Sequence, residues 1–298
     1  MNRIIEVNRL NKKYGHESVI QDISFTVEEN KIYGLLGRNG AGKTTIMHMI
    51  TAQLFPTSGE LKVFGENPYE NNRVLSRVCF IKESQKYPES FRIADVIDVA
   101  AAIYPNWDSE FAAQLIEEFR LPVKRRMKKL SRGMHSSVGI IIGLASRAPL
   151  TIFDEPYLGL DAVARSLFYE RLIEDYAEHP RTIILSTHLI DEVSNILEHV
   201  IVIDKGKILI DEEADDLRGK VFTATGPEAI VSAFAAGKRV IHQESIGGLM
   251  SATIFSKMEG EGNLRAEAQG IKLSPVSLQQ LIVYLTNGKM PGKAAEVG

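Results

Sequence analysis

Short apolar runs that end in polar residues recur along the first two thirds of the sequence. Ile32–Leu36 leads into a glycine-rich segment, Leu150–Glu155 ends in two carboxylates, and Thr182–His188 ends in a histidine. Apolar runs of this length are typical of strands that are buried on both faces of a parallel sheet. The pattern therefore predicts an α/β core whose polar residues collect at the carboxyl edge of one sheet, where ligands of such folds bind.

Helical periodicity interrupts this core. Ile93–Ala101 and Glu110–Leu121 each place their apolar residues on one helix face. We therefore expect a helical insertion at about residues 84–147. The insertion lies inside a first domain that we expect to span residues 1–213.

Residues 214–298 have a different pattern. Strand-like segments such as Val221–Thr225 and Leu249–Phe255 alternate with helix-like segments such as Pro227–Ala236 and Ser277–Leu285. This alternation predicts a small C-terminal α+β domain. It contains no group of residues that suggests catalysis.

The composition narrows the class of protein. A chain of 298 residues, 44% hydrophobic and 24% charged, is long enough for a large and a small globular domain. The net charge of −3 argues against a strongly basic nucleic-acid binder. The basic run Lys124–Lys129 is therefore more typical of a solvated face, or of contact with phosphates or a partner protein, than of nucleic-acid binding.

The sequence offers no segment suited to membrane insertion. Met1–Glu6 alternates polar and apolar residues like a strand and lacks the apolar core of a signal peptide, so we expect no export by that route. The longest apolar run lies near Val138–Leu144, far short of the ~18 residues that span a bilayer. The single cysteine, Cys79, excludes an internal disulfide. We expect a cytoplasmic protein that reaches a membrane only through a partner.

The glycine-rich segment has the spacing of a phosphate-binding loop. Gly37–Thr44 matches G-x-x-x-x-G-K-[ST] between the predicted strand and a predicted helix at Thr44–Leu54. In such a loop the backbone N–H groups surround phosphate oxygens, Lys43 supplies a positive charge, and the Thr44 hydroxyl can bind Mg²⁺. The alternative is a glycine turn between a strand and a helix, and the flanking signals favour the nucleotide site. Nucleotide contacts are expected from Gly37, Arg38, Asn39, Gly40, Ala41, Gly42, Lys43, Thr44 and Thr45.

The polar ends of the other two runs supply candidate catalytic groups. Burying both Asp154 and Glu155 for packing alone would cost several kcal/mol. A Mg²⁺ ion bound by Thr44 would compensate Asp154, and Glu155 would then be placed to orient and deprotonate water. His188 is expected at the same sheet edge, where a functional role is favoured over a structural histidine at a helix start.

An aromatic residue in a predicted turn lies upstream of the loop. Asn11–Gly15 is predicted as a turn between the strands Ile4–Leu10 and Ile23–Val27, and it presents Tyr14. The ring of Tyr14 can stack on an adenine, since an aromatic ring offers a flat apolar face. Composition alone favours the alternative, a tyrosine that serves only packing.

With these pieces in order, residues 1–213 resemble the ATP-binding subunit of an ATP-binding cassette (ABC) transporter, a P-loop NTPase. The resemblance implies that Tyr14 stacks on adenine. The matching segments are Gly37–Thr44 as the Walker A loop, Leu150–Asp154 with Glu155 as the Walker B strand and catalytic glutamate, Leu130–Met134 as the signature, Gly159–Asp161 as the loop that communicates across the dimer, and His188 as the switch histidine.

The chain departs from the family pattern in two places. The usual signature is Leu-Ser-Gly-Gly-Gln, and here Arg132 and Met134 replace a glycine and the glutamine, while Ser131 and Gly133 are kept. The resemblance implies that Ser131 and Gly133 contact the γ-phosphate held by the opposite subunit. Glu83 occupies the position of a nucleotide-sensing glutamine, and its carboxylate can accept a hydrogen bond from a Mg²⁺-bound water but cannot donate one.

The resemblance implies a function. Two ATP-binding subunits, identical or paralogous, close head to tail on ATP and Mg²⁺ and drive a transmembrane permease on the inner face of the cell membrane. Lys82–Gln85, Leu130–Met134 and Tyr157–Asp161 look like exporter cassettes found with GntR-family regulators, which handle peptides, antibiotics or similar cell-envelope-active compounds. The alternatives are a soluble, non-transport ABC ATPase that acts on ribosomes or DNA, and a regulatory cassette with very low ATPase activity.

Overall fold

The computed structural model describes residues 2–83, 85–256 and 268–286. Ser84, where the predicted insertion begins, and residues 257–267 and 287–298 of the predicted C-terminal domain lie outside the described residues.

The chain folds as two compact units. The first contains Met1–His188 and Ile196–Asp211, and the second contains Leu189–Asn195 and Glu212–Gly298. The second unit thus takes in a short segment that the sequence placed in the first domain. The domain limits of 1–213 and 214–298 stay a prediction.

The described elements follow one another along the chain in a largely alternating order. The strands are β1 (Arg3–Tyr14), β2 (Glu17–Glu28), β3 (Ile32–Leu36), β4 (Ser58–Val63), β5 (Val78–Lys82), β6 (Leu150–Asp154), β7 (Thr182–Thr187), β8 (His199–Asp204), β9 (Lys207–Glu213), β10 (Val221–Pro227), β11 (Arg239–Ile246), β12 (Leu249–Phe255) and β13 (Lys272–Pro275). The helices are α1 (Lys43–Ile50), α2 (Asn72–Leu75), α3 (Ile93–Ile103), α4 (Ser109–Glu118), α5 (Arg132–Ala145), α6 (Ala162–Glu178), α7 (Ile190–Val193), α8 (Ala214–Lys220), α9 (Glu228–Ala235) and α10 (Leu278–Thr286).

A six-stranded sheet in the order β5-β6-β7-β3-β8-β9 forms the centre of the first unit. Its neighbours from β5 to β8 pair in parallel. Every residue of β3, β6 and β7 is buried, which explains why these strands read as continuous apolar runs. The parallel register places the carboxyl ends of these three strands side by side, and the predicted α/β fold class is confirmed.

A second, antiparallel sheet of order β2-β1-β4 carries Tyr14. The predicted turn at Asn11–Gly15 is wrong, because β1 continues to Tyr14, which pairs with Glu17. Register shifts in the β1–β2 pairing break the polar–apolar alternation after Leu10. The break in alternation therefore reflects β-bulges, and the chain reverses only after Tyr14, where Gly15 has φ 58°.

The helices depart most from the sequence pattern at α1 and α6. Helix α1 ends at Ile50, four residues before the predicted end, and Ala52 then adopts a φ of 55°. Helix α6 has no counterpart among the predicted elements, because charged residues occur along its whole length and few of its apolar side chains are buried. Helices α3, α4 and α5 lie within the expected insertion, and the Ser131 hydroxyl caps α5 by accepting a hydrogen bond from the Met134 N–H at 3.2 Å.

The second unit has its own sheet and core. Among its described residues, four strands pair antiparallel in the order β11-β12-β10-β13. Helix α9 follows β10, and its Val231 packs with Met250 and Ile254 of β12. This is the α+β arrangement that the sequence predicted, although β13 was not anticipated.

A buried charge network fixes α6 within the first unit. The Asp175 side chain is 2% exposed and lies 2.7 Å from Arg181 Nη1 and 3.1 Å from Arg147 Nη2. Arg147 also pairs with Asp108, the residue that caps α4, at 2.7 Å. Because Arg181 is itself 4% exposed, the Asp175 carboxylate compensates a cation that water does not reach.

Replacing this carboxylate should destabilise the fold. Asp175→Asn keeps the shape but leaves Arg181 without its counter-charge, and removing one partner of a buried ion pair costs about 3 kcal/mol or more. Urea unfolding followed by the fluorescence of Trp107 measures the change in midpoint. As a control, Glu6→Gln at the exposed Arg3–Glu6 pair should cost about 1 kcal/mol or less. Equal midpoints for the two variants would show that the network does not hold α6.

Candidate nucleotide-binding site

The loop between β3 and α1 is packed too tightly for side chains at two of its glycines. A Cβ on Gly37 would lie 2.2 Å from the carbonyl oxygen of Ile203, and a Cβ on Gly42 would lie 2.5 Å from Ile20 Cδ1. Both glycines also have positive φ angles, 153° and 111°. The backbone can therefore turn sharply from the strand into the helix start, which is the geometry of a phosphate cradle.

Lys43 is a buried cation inside this loop. Its Nζ donates hydrogen bonds to the carbonyl oxygens of Gly37 at 2.8 Å and Arg38 at 3.3 Å. Burial lowers the pKa of the Lys43 ammonium, and the nearby carboxylates of Glu155 and Asp154 act in the opposite direction. The loop thus concentrates positive charge next to two acidic groups.

Thr44 and Asp154 join the helix start to the end of β6. The Thr44 hydroxyl donates to Asp154 Oδ2 at 2.8 Å, and Asp154 is 4% exposed. The other carboxylate oxygen, Oδ1, is buried and has no hydrogen-bond partner among the described residues. An orphaned carboxylate oxygen beside a hydroxyl is a hard oxygen donor set that fits Mg²⁺.

Two candidate protein ligands, Thr44 and Asp154, are a typical number for Mg²⁺. Among the described residues, no group of three or more His, Cys, Asp or Glu side chains could hold a metal. Mg²⁺ is commonly held by one or two carboxylates together with substrate phosphates and water. The donors at Thr44 and Asp154 therefore suit an ion that arrives with a nucleotide.

Glu155 and His188 come together at the ends of β6 and β7. His188 Nδ1 lies 2.8 Å from Glu155 Oε2, and the backbone N–H of Glu155 donates to the Ser186 carbonyl at 3.1 Å. The hydroxyl of Tyr157 also donates to Glu155 Oε2 and lies 3.0 Å from His188 Nδ1. Sequence reasoning missed Tyr157, whose one signal was its position two residues after Glu155.

The phosphate loop, Asp154, Glu155 and His188 line one cleft of about 630 Å³. Tyr14 borders it with a half-exposed ring, and Lys12 Nζ lies 5.0 Å from the ring centroid. Val19 and Leu158 also line the cleft, and sequence reasoning missed both. Gly37 and Arg38 take part through their carbonyl oxygens. The remaining lining residues are Asn39, Gly40, Ala41, Gly42, Lys43, Thr44, Thr45, Glu83, Asp154, Glu155 and His188.

The predicted trans residues lie elsewhere in the same chain. Ser131, Gly133 and Asp161 line a separate cleft of about 470 Å³. There a Cβ on Gly133 would lie 2.6 Å from the Gly159 carbonyl oxygen, so the signature and the loop before α6 pack directly together. Asp161 caps α6 by accepting from the Ala164 N–H at 2.9 Å. One chain therefore presents two separate surfaces, each carrying part of the predicted site.

The two departures from the family pattern pair with each other. Arg132 Nη2 lies 2.5 Å from Glu83 Oε1, and both side chains are largely exposed. Glu83 thus borders the phosphate cleft while one carboxylate oxygen is engaged by Arg132. Its part in metal binding stays a prediction.

Comparisons with known proteins identify relatives of this chain. Residues 20–158 match the family model described as ABC transporter. The chain is 33% identical over 222 residues to the bacitracin transport ATP-binding protein BcrA of Bacillus licheniformis, covering 73% of this chain and 72% of that protein.

Solved structures show the same fold. The structure of an ATP-binding subunit of an ABC transporter superposes with a TM-score of 0.66 at 28% identity, covering 72% of this chain and 92% of that one. A dimeric post-hydrolysis structure of the ATP-binding cassette MJ0796 bound to ADP and phosphate has a TM-score of 0.61 at 20% identity, covering 71% and 99%. The chain belongs to the family of ABC transporter ATP-binding proteins.

Proposed function

We propose that this chain binds and hydrolyses ATP to power a membrane exporter of peptides, antibiotics or similar cell-envelope-active compounds. The observation that carries the proposal is the cleft of about 630 Å³, which gathers a buried lysine, an orphaned carboxylate oxygen and a glutamate–histidine pair around one phosphate loop. Phosphoryl transfer needs little more than such positioning and charge stabilisation.

The positions of the cleft residues support a role for each of them. Loop amides and Lys43 would stabilise negative charge on the γ-phosphoryl group. Glu155 would orient and polarise the attacking water, and His188 would hold Glu155 and the γ-phosphate in register. Tyr14 would stack on the adenine.

The same geometry supports a magnesium site. Thr44 and Asp154 would hold the ion directly, and Glu83 would accept a hydrogen bond from a metal-bound water. Bound Mg²⁺ supplies positive charge against the phosphate oxygens.

A second ATP-binding subunit, identical or paralogous, would complete the site. Ser131, Gly133 and Asp161 face a cleft of their own, so they reach an ATP only if it is bound by another subunit. Head-to-tail closure would bring Ser131 and Gly133 onto the γ-phosphate and the loop with Asp161 close to the bound nucleotide. The structure of the MJ0796 cassette, which shares the fold, is a dimer.

Transport requires a further partner. Among the described residues, no helix is both long and apolar enough to cross a membrane. A transmembrane permease would anchor the chain at the inner face of the membrane, and the likeness to the bacitracin transport protein supports a role in transport. The net charge of −3 gives no support to nucleic acid as a partner.

Removing the water-orienting carboxylate should abolish turnover without abolishing binding. Glu155→Gln keeps the shape but not the base, and loss of general base catalysis lowers rates by about 10²- to 10⁴-fold. Steady-state phosphate release and ATP affinity, measured on the same preparations, separate the two effects. A wild type no faster than Glu155→Gln would favour the regulatory cassette.

The matched test for the second subunit is Ser131→Arg. Ser131 lies outside the phosphate cleft of its own chain, so a loss of hydrolysis with ATP affinity retained reports completion of the site by another subunit. Unchanged hydrolysis in this variant would contradict the shared site.

Expression together with the neighbouring genes should recover a permease. Mild detergent extraction and affinity purification of this chain, followed by mass spectrometry, should yield a polytopic membrane protein in stoichiometric amount. Recovery with ribosomes instead would favour the non-transport ATPase.

A further inference from the structure

The Tyr157 hydroxyl lies at the centre of the Glu155–His188 pair. Tyr157 is 3% exposed. Its oxygen lies 2.9 Å from Thr187 Oγ1, 3.0 Å from the His188 backbone nitrogen and 3.0 Å from His188 Nδ1, and it contacts Glu155 Oε2. Residues from the end of β7 and from the turn after β6 thus converge on one oxygen atom.

The Tyr157 hydroxyl donates its one hydrogen bond to Glu155. A phenol has one proton to donate and also accepts hydrogen bonds. The Thr187 hydroxyl and the His188 backbone N–H both donate to the Tyr157 oxygen. Burial raises the pKa of Tyr157 above its ordinary value, so the hydroxyl keeps its proton. A carboxylate only accepts hydrogen bonds, so Glu155 Oε2 accepts one from the Tyr157 hydroxyl and one from His188 Nδ1.

These contacts matter because Glu155 occupies an uncommon backbone position. Its φ is 50°, in the left-handed region that non-glycine residues seldom adopt. The Tyr157 hydroxyl joins the Glu155 carboxylate to the end of β7 through Thr187 and the His188 N–H. Thr187 is in register with Leu36, the last residue before the phosphate loop. The hydroxyl therefore links the carboxylate to the strand that borders β3.

We propose that Tyr157 is a positioning residue for ATP hydrolysis. Its hydroxyl holds the Glu155 carboxylate at a fixed place relative to the phosphate loop, so that the water which Glu155 orients meets the γ-phosphoryl group in line. The inference rests on the proposed hydrolysis. Tyr157 lies outside the phosphate loop and the Thr44–Asp154 pair. In this role it controls turnover and not nucleotide binding.

Tyr157→Phe removes only this oxygen and tests the assignment. A small misplacement of a catalytic group costs up to about 100-fold in rate, so kcat should fall ten- to 100-fold. KM and the equilibrium affinity for ATP should stay within about twofold, because binding is made by the loop. The matched control is Tyr176→Phe, whose hydroxyl also donates to a carboxylate, Glu198 Oε2 at 2.7 Å, but outside the cleft. Its kcat should not change.

Two further variants separate positioning from a structural role. Thr187→Val removes a donor to the phenol and should also lower kcat. This variant provides the test if Tyr157→Phe does not fold. In the Glu155→Gln background, Tyr157→Phe should cause little further loss, because the hydroxyl acts through Glu155.

The outcomes distinguish this inference from the proposed function. A wild type no faster than Glu155→Gln overturns both. An active wild type with unchanged kcat in Tyr157→Phe overturns the positioning role alone. Two other outcomes would show a structural role and overturn the positioning role as well. One is a loss of ATP affinity that matches the loss of kcat, and the other is an equal loss of kcat when Tyr157→Phe is made in the Glu155→Gln background.

Discussion

The site depends on one constraint, the meeting of a buried carboxylate at the end of β6 with the start of α1. Asp154 stands in register with Ser186 of the neighbouring strand and accepts a hydrogen bond from Thr44. Burying a carboxylate costs several kcal/mol unless hydrogen bonds and opposite charge compensate it. Thr44 and the nearby Lys43 supply part of that compensation, and the remaining oxygen has no hydrogen-bond partner among the described residues. The loop and β6 therefore hold each other in place.

This alignment also explains why one chain carries only part of the proposed site. The strand ends bring the phosphate loop, Glu155 and His188 into one cleft, whereas the signature at Ser131 begins a helix that packs against the loop before α6. The Glu83–Arg132 pair spans the two regions within the chain. An exposed ion pair contributes about 1 kcal/mol or less, so it can exchange partners at little cost when a second subunit approaches.

The sequence predicted those features that depend on local pattern. Apolar runs gave the three buried strands, and glycine spacing gave the loop. The long β1 was not predicted, because β-bulges break its alternation after Leu10. Helix α6 carries charge along its length and so lacks a clear apolar face. The contacts of Tyr157, and the pairing of Glu83 with Arg132 across 49 positions, depend on tertiary structure and leave no periodic signal.

The role of Asp154 and Thr44 is tested most directly by calorimetry. ATP binding is compared with and without Mg²⁺, for wild type and Asp154→Asn. The wild type should bind ATP more tightly with Mg²⁺ than with EDTA, because the orphaned Asp154 oxygen and the Thr44 hydroxyl receive the ion. Asp154→Asn should keep the EDTA affinity and lose the gain from Mg²⁺, while Lys43→Ala should lose affinity in both conditions. A full gain from Mg²⁺ in Asp154→Asn would contradict the account.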